Sequence, residues 1–308
     1  MKTISLVLGS GGARGYAHVG VIRALEERGY EIKGIAGCSM GALIGGFYAA
    51  GKLDDFEEWV SSLSYLDVLK LVDLSLLSSG AIRGDKVFAL LSEMLGSVKI
   101  EELKIPYTAV ATDLTNQKEV WFNSGPLEQA IRASCSIPSV VRPVVMGNRL
   151  LVDGGVLNPL PIAASIAVHA DHIIAVDLSA DVPMPEGNLK ETQAMKMSHE
   201  QEKEGWFAQV RNKAMSFLDR EPAQAQADLD ANLSKLGVMY QMFDTMQASL
   251  TQYKIAGYRP DLLIRIPKDS VSIFEFYRAE AQIQLGYDIA LQAIKAFEKG
   301  EANTYGQL

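Results

Sequence analysis

The order of apolar and polar segments near the start of the chain predicts two strand–loop–helix units. An apolar, β-branched run at 3–9 predicts a buried strand, and the glycine-rich stretch at 9–15 predicts a loop. Residues 16–29 then have the spacing of a helix. A second strand at 31–38 and a second helix at 41–51 repeat the arrangement. Such units with short connections are typical of a parallel sheet covered by helices.

Later segments extend this α/β pattern. Those that predict strands are 106–114, 117–123, the start of 149–161, 170–179 and 260–267. Those that predict helices are 53–104, interrupted by a loop at 78–86, then 125–138 and 274–300. The tail at 301–308 is expected to be loosely held. We therefore expect one α/β domain over residues 1–308.

One segment departs from this composition. Residues 186–258 are rich in Met, Gln, Ala and charged residues and contain few strand formers, so we expect an all-helical insertion within the domain. Apolar side chains at steps of three and four residues share one helical face there. They are Leu229, Leu233, Leu236, Tyr240, Phe243, Met246, Leu250 and Tyr253, and Val238, Met239 and Met242 widen the face.

Composition and charge narrow the classes of function. The 308 residues are 48% hydrophobic and carry a net charge of −8, which disfavours non-specific binding of nucleic acid. Cys38 and Cys135 are the two cysteines, and we expect reduced thiols in a cytosolic protein. No Cys/His cluster has metal-ligand spacing, so we expect no metal. We also expect no signal peptide and no transmembrane helix, because no apolar run is long enough.

Ser39 is the first candidate for chemistry. It lies in Gly37-Cys38-Ser39-Met40-Gly41, which matches the GxSxG pattern of a nucleophile elbow between a strand and a helix. Glycines on both sides let the chains approach, and a helix N-terminus favours a developing anion. The alternative is a small-residue turn without chemistry, since a lone GxSxG arises easily by chance.

The glycine loop at 9–15 allows two interpretations. As a dinucleotide phosphate loop its register is poor, because Ser10 stands where the first glycine belongs and the acidic ribose ligand is misplaced. As an oxyanion hole it would direct the N–H groups of Gly11 and Gly12 at a tetrahedral intermediate. Arg14 would then fix the loop by hydrogen bonding.

A nucleophilic serine needs a base. The histidines are His18, His169, His172 and His199. None lies where an α/β-hydrolase triad places its histidine, and we expect all four on helix surfaces or loops. Asp153 is a better candidate, because it ends a short apolar strand and the glycines that follow let it approach the serine closely. The alternative for Asp153 is an ordinary Asp-Gly hairpin turn.

Three motifs in one order distinguish this chain: "GSGGARG" at 9–15, "GCSMG" at 37–41 and "DGG" at 153–155. Together they resemble the patatin-like phospholipases, and above all the bacterial single-domain members related to the catalytic domain of neuropathy target esterase. The segments "IRASCSIPSVVRPV" and "LVDGGVLNPLP" also look like that subgroup. The resemblance covers residues 3–180 well and says little about 186–258.

The resemblance implies a three-layer α/β sandwich with a mainly parallel central sheet and a Ser–Asp dyad without histidine. Carried over by motif, Ser39 is the nucleophile and Asp153 the general base. Gly11 and Gly12, with the N–H of Arg14, form the oxyanion hole. The remaining motif glycines are Gly15, Gly37, Gly41, Gly154 and Gly155. The chain departs from many members at two positions, with Ser10 in place of Gly and Cys38 in place of Thr.

The expected function is therefore that of a serine lipid acyl hydrolase, a phospholipase A, lysophospholipase or esterase, acting through an acyl-enzyme without a cofactor. We expect a phospholipid, lysophospholipid or other fatty-acyl ester as substrate, and a cytoplasmic protein that contacts membrane surfaces transiently. The alternative is a non-catalytic lipid-sensing protein on the same fold. The apolar face of the insertion also has two interpretations, packing on the sheet or a lid over Ser39.

Overall fold

A mixed sheet organises the described part of the computed structural model, residues 2–71, 84–138, 140–185 and 222–301. Its strands are β1 (Lys2–Leu8), β2 (Tyr30–Cys38), β3 (Tyr107–Asp113), β4 (Lys118–Phe122), β5 (Val144–Met146), β6 (Arg149–Asp153), β7 (His172–Ala180) and β8 (Leu262–Pro267). Their order is β5-β6-β3-β2-β1-β7-β8, and β4 pairs with β3 outside this order. β2 and β6 pair with different residues of β3. The five strands from β3 to β8 in that order run parallel, whereas β4, β5 and β6 pair antiparallel.

Helices connect these strands. In the described residues they are α1 (Ala17–Glu27), α2 (Met40–Ala49), α3 (Leu53–Ser62), α4 (Tyr65–Leu71), α5 (Asp85–Leu95), α6 (Leu127–Ser134), α7 (Pro222–Gly257) and α8 (Ala279–Glu298). Short 3-10 turns lie at Gly12–Tyr16, Ile100–Glu102, Gly154–Val156, Ile162–Ser165 and Phe276–Arg278.

The centre of the sheet is buried on both faces. Along β1, Ile4, Leu6 and Leu8 face the large core that α1, α2 and α8 complete. Val7 points to the opposite face, where it packs in a second cluster with Ile255 of α7. This double burial explains why the sequence of β1 is a continuous apolar run without alternation. The predicted arrangement of helices, central sheet and helices is confirmed.

The observed elements differ from the predicted ones in several places. The sequence does not predict β5, because three residues are too few to show an alternating pattern. The loop predicted at 9–15 ends in a 3-10 turn, Gly12–Tyr16. The helix predicted at 125–138 spans Leu127–Ser134. It could not have continued to Pro138, because a proline disfavours the helical conformation of the residue before it. Most of the loop predicted at 78–86 and of the tail at 301–308 lies outside the described residues.

The chain forms two compact units, one of Met1–Val182 with Thr245–Leu308 and one of Pro183–Asp244. Helical structure in the predicted insertion is present over Pro222–Gly257, and residues 186–221 lie outside the described residues. Several members of the predicted apolar face are exposed, namely Val238, Met239, Met242, Met246 and Tyr253. The side chains of Leu229, Leu233 and Leu236 lie outside the described residues. The lid and the limits of the insertion stay predictions.

Two glycines allow α1 and α8 to pack at backbone distance. A Cβ atom on Gly20 would lie 1.9 Å from the Ile283 carbonyl oxygen. A Cβ atom on Gly286 would lie 2.1 Å from the Ala17 carbonyl oxygen. Neither position has room for a methyl group, so this helix contact depends on both residues being glycine.

We expect Gly20→Ala to destabilise the protein by about 1–3 kcal/mol, although alanine is the better helix former, because the methyl group overpacks the contact. Gly257→Ala is the matched control, since no atom lies within 4 Å of a methyl group there. Urea unfolding measures both free energies. Equal stability of the two variants would show that α1 and α8 do not pack this closely.

Candidate active site

Ser39 occupies a strained turn between β2 and α2. Its backbone has φ 54° and ψ −123°, an unfavourable conformation for a residue with a side chain. Cβ atoms on the flanking glycines have no room, because one on Gly37 would lie 2.5 Å from the Gly41 carbonyl. One on Gly41 would lie 2.1 Å from the Leu8 carbonyl oxygen. The turn between strand and helix therefore has the tight geometry of the predicted elbow, and its glycines are required by close backbone contacts. The nucleophilic role of Ser39 stays a prediction.

A second serine holds the elbow in place. The backbone N–H of Ser39 donates to Ser134 Oγ at 2.9 Å, and the Ser134 hydroxyl donates to the Val110 carbonyl at 2.6 Å. Ser134 thus ties the strained turn to β3 from the end of α6. Sequence reasoning missed this residue, because nothing in its spacing indicates a contact with a position 95 residues away.

Asp153 reaches the elbow because β6 continues where β2 stops. Cys38, the last residue of β2, pairs with Val110 of β3, and Asp153 of β6 pairs with the next residue, Ala111. Since β4 covers the other edge of these β3 residues, β2 and β6 share one edge of β3. The antiparallel strand β6 therefore places Asp153 beside Cys38, the residue that precedes Ser39.

The carboxyl group of Asp153 is fully buried. Oδ1 accepts a hydrogen bond from the Gly155 N–H at 2.8 Å and lies 3.9 Å from Cys38 Sγ. Oδ2 makes no hydrogen bond of standard geometry with the described residues, although the Ser39 hydroxyl is near enough to favour the carboxylate. Burial raises the pKa of Asp153 to about 6, because these three neighbours only partly compensate for lost solvation.

Asp153 does not form the hairpin turn that was the alternative. It caps the 3-10 turn Gly154–Val156, which begins directly after β6. A Cβ atom on Gly154 would lie 2.1 Å from the Val110 carbonyl oxygen and 3.0 Å from Cys38 Sγ. The first glycine after the aspartate is therefore needed for the turn to pack against the elbow.

The glycine loop presents two unengaged amides. The N–H groups of Gly9, Ser10 and Ala13 donate to the carbonyls of Val176, Pro159 and Ile273, at 2.8 to 3.1 Å. For the N–H groups of Gly11 and Gly12, the described residues provide no acceptor. These are the two donors that the resemblance implies for an oxyanion hole, and that role stays a prediction.

Arg14 fixes the shape of this loop. Its side chain is almost fully buried, and Nε donates to the Gly11 carbonyl at 3.3 Å while one terminal nitrogen donates to the Lys268 carbonyl at 3.2 Å. The loop also touches the elbow, because a Cβ atom on Gly15 would lie 2.3 Å from Met40 Cβ. The sequence motifs at 9–15, 37–41 and 153–155 thus meet in one place.

The histidines take no part in this cluster. His18 is fully buried in α1, and not on a helix surface as expected. Its Nε2 lies 2.8 Å from the Gly9 carbonyl oxygen, and burial lowers its pKa to about 4, so the neutral ring donates this bond. His169 is exposed, His172 packs edge-on against Phe297, and His199 lies outside the described residues. No described histidine hydrogen-bonds to Ser39 or Asp153.

In the part of the chain that the structure describes, no three His, Cys, Asp or Glu side chains are grouped so that they could hold a metal ion. No described helix is long and apolar enough to cross a membrane. Cys38 and Cys135 are both buried and free, and burial raises the pKa of each thiol.

Comparison with known proteins identifies relatives of this site and fold. The family model of patatin-like phospholipases matches residues 6–166. An NTE-family protein of Mycobacterium bovis is 41% identical, over 96% of this chain and 92% of that protein. Neuropathy target esterase of Drosophila melanogaster and lysophospholipase NTE1 of Debaryomyces hansenii are 32% and 35% identical over 58% of this chain. The match spans only 13% and 12% of those two proteins.

One solved structure shares the architecture. VipD from Legionella pneumophila is similar with a TM-score of 0.55 and 15% identity, over 96% of this chain and 67% of VipD. At this identity the likeness shows a common fold. The family match includes all three motif loops, and the mycobacterial relative extends the similarity over nearly the whole chain. The chain therefore belongs to the patatin-like phospholipase family.

Proposed function

We propose that this member of a lipid hydrolase family is a serine acyl hydrolase with a Ser39–Asp153 dyad. The observation that carries the proposal is the buried Asp153 carboxyl beside the strained Ser39, with one oxygen free of standard hydrogen bonds and a pKa raised to about 6. A carboxylate with this pKa is ionised near neutral pH and is still basic enough to accept the serine proton. Its free oxygen has room for that proton.

The reaction has two steps. In the first, Ser39 Oγ attacks the ester carbonyl carbon while Asp153 takes the hydroxyl proton. The resulting oxyanion is stabilised by the N–H groups of Gly11 and Gly12 and by the N-terminus of α2. The N–H of Arg14 is engaged within the 3-10 turn that begins at Gly12, so it is not one of these donors. Asp153 then returns the proton to the leaving alcohol as the acyl-enzyme forms. In the second step Asp153 takes a proton from a water molecule, whose oxygen attacks the acyl carbon. The new intermediate collapses with cleavage of the bond to Ser39 Oγ, which takes the proton back from Asp153 as the fatty acid leaves.

The proposed substrates are phospholipids, lysophospholipids or other fatty-acyl esters. Two relatives are named a neuropathy target esterase and a lysophospholipase, which favours an ester of this kind. We propose a cytoplasmic enzyme that takes such substrates from a membrane surface or micelle by transient contact. The buried pair of serine and carboxylate disfavours the non-catalytic lipid sensor, because a sensor needs no base.

Removing either partner of the dyad is expected to abolish hydrolysis. Ser39→Ala and Asp153→Ala should each lower kcat on a p-nitrophenyl ester and on a lysophospholipid by at least about 1000-fold. A fluorophosphonate should label the wild type at Ser39 and leave Ser39→Ala unlabelled. Normal turnover by Ser39→Ala would refute the mechanism. A wild-type protein that binds lipid without turnover would support the sensor.

The pH dependence follows from the raised pKa of Asp153. Because the base works only when ionised, kcat/KM for a soluble ester should rise about tenfold per pH unit below pH 6 and level off above it. Initial rates between pH 4.5 and 8.5 measure this profile. An acid limb centred near pH 4, the ordinary range of a carboxyl group, would contradict the assignment of Asp153.

The same pKa predicts a cost in stability at neutral pH. A folded-state pKa of about 6, above the ordinary 3.8, means that stability is fully present below pH 3.8 and is lost as the pH rises through 6. Asparagine cannot ionise, so Asp153→Asn does not show this loss. Its free energy of unfolding relative to that of wild type should therefore increase by about 2 kcal/mol between pH 4.5 and 7.5. Urea unfolding at both pH values tests this. A pH-independent difference would show that Asp153 keeps an ordinary pKa.

A further inference from the structure

Gln247 lies between two of the motif loops. It belongs to the last part of α7, within the unit that contains the sheet, and only 3% of it is exposed. Its side-chain Nε2 donates to Ser10 Oγ in the glycine loop at 3.1 Å. The same nitrogen lies against Gly155, because a Cβ atom on Gly155 would be 1.9 Å from it. The carboxamide therefore fills the space that any side chain at 155 would need.

This contact is next to the proposed base. The same Cβ position on Gly155 is 3.0 Å from Asp153 Oδ1, the oxygen that accepts the Gly155 N–H. Ser10 in turn directly precedes Gly11 and Gly12, the proposed oxyanion donors. One buried amide thus touches the residue that orients the base and the residue that precedes the donors.

The helix segment that carries Gln247 is itself fixed to the turn after Asp153. Lys254 Nζ donates to Glu119 Oε1 at 2.9 Å, and Asn158 Nδ2 donates to Glu119 Oε2 at 2.9 Å. Thr251 and Ile255, at steps of four residues from Gln247, are buried on the same side of α7. Gln247 is therefore held by its helix and does not depend on its own flexible side chain for its place.

Packing alone does not explain why residue 247 is polar. A buried carboxamide costs free energy unless it is hydrogen-bonded, and an apolar side chain of the same size would fill the space more favourably. The hydroxyl of Ser10 supplies the acceptor here.

We propose that Gln247 is a positioning residue of the hydrolytic site, which sets the spacing between the glycine loop and the Asp153 turn. The inference rests on the proposed function. The oxyanion donors and the base must lie at fixed distances from the same carbonyl group, and their spacing matters most in the transition state. Loss of the hydrogen bond between Gln247 and Ser10 should therefore lower kcat and leave KM nearly unchanged.

The test uses the full chain and p-nitrophenyl butyrate, a soluble ester that needs no lipid surface. Gln247→Met keeps the volume and removes the donor, and Ser10→Ala removes only the acceptor. Each should lower kcat about 10- to 100-fold with less than about a threefold change in KM, as expected for a misplacement near 1 Å. Gln252→Met is the matched control, because Gln252 is exposed on the same helix.

The double variant separates positioning from packing. If the hydrogen bond is the cause, Gln247→Met with Ser10→Ala should be no slower than the slower single variant. A double variant whose loss of kcat is the product of the two single losses would overturn the proposal. Wild-type kcat in Gln247→Met would overturn it as well. So would a loss of kcat that only follows the loss of folded protein in thermal unfolding. Ser10→Ala keeps the test decisive if Gln247→Met does not fold.

A suppressor experiment tests the contact with Gly155. Gly155→Ala should be inactive, because its methyl group overlaps the Gln247 amide. Adding Gln247→Ala should restore part of the thermal stability that Gly155→Ala loses, since it removes the overlapping atoms. Stability is the readout because the new methyl group would also lie 3.0 Å from Asp153 Oδ1, so activity need not recover. No gain in melting temperature over Gly155→Ala would overturn the contact. Fluorophosphonate labelling of the wild type at Ser39 distinguishes these failures from failure of the proposed function, which would abolish labelling itself.

Discussion

The pairing of β6 with β3 is the contact on which the site depends. β2 occupies the first half of one edge of β3 and ends at Cys38, and β6 occupies the second half of that edge from the opposite direction. The two strands therefore end against each other, one leading into the serine turn and the other into the aspartate turn. No loop has to reach across the molecule, because the sheet itself delivers both groups. The antiparallel strands in an otherwise parallel sheet are what make this meeting possible.

Close backbone contact is the second constraint, and it explains the glycines of the motifs. Gly41 faces the carbonyl of Leu8, Gly154 that of Val110, and Gly15 the Cβ of Met40. Each contact joins one motif loop to a strand or to another loop. A strained serine can persist there because surrounding packing holds it, with Ser134 as a hydrogen-bonded anchor. The glycines of the three motifs therefore allow three turns to pack together at one end of the sheet.

Burial of Asp153 links the proposed catalysis to stability. The surroundings that raise its pKa make it a suitable base near neutral pH, and the same surroundings make its ionised form unfavourable in the folded protein. The hydrogen bond from Gly155 compensates only in part. The large core under α1, α2 and α8 supplies the stability that tolerates this group. A more solvated carboxyl would be a weaker base with an ordinary pKa.

The sequence by itself determined the class of fold, most strands and helices, and the three motif loops. Periodicity and glycine placement are local properties, and the motif order pointed to Ser39 and Asp153 as a pair. It could not give β5, which is too short to show a pattern, or the burial of His18, which depends on the packing around α1. It could not give the contacts of Ser134 and Gln247 either, because these join residues 24 and 237 positions apart. Strand ends that share an edge of β3, and the burial that shifts the pKa of Asp153, exist only once the sheet has assembled. Local pattern therefore named the proposed reacting groups, and the tertiary structure decided their spacing, their ionisation and the residues that hold them.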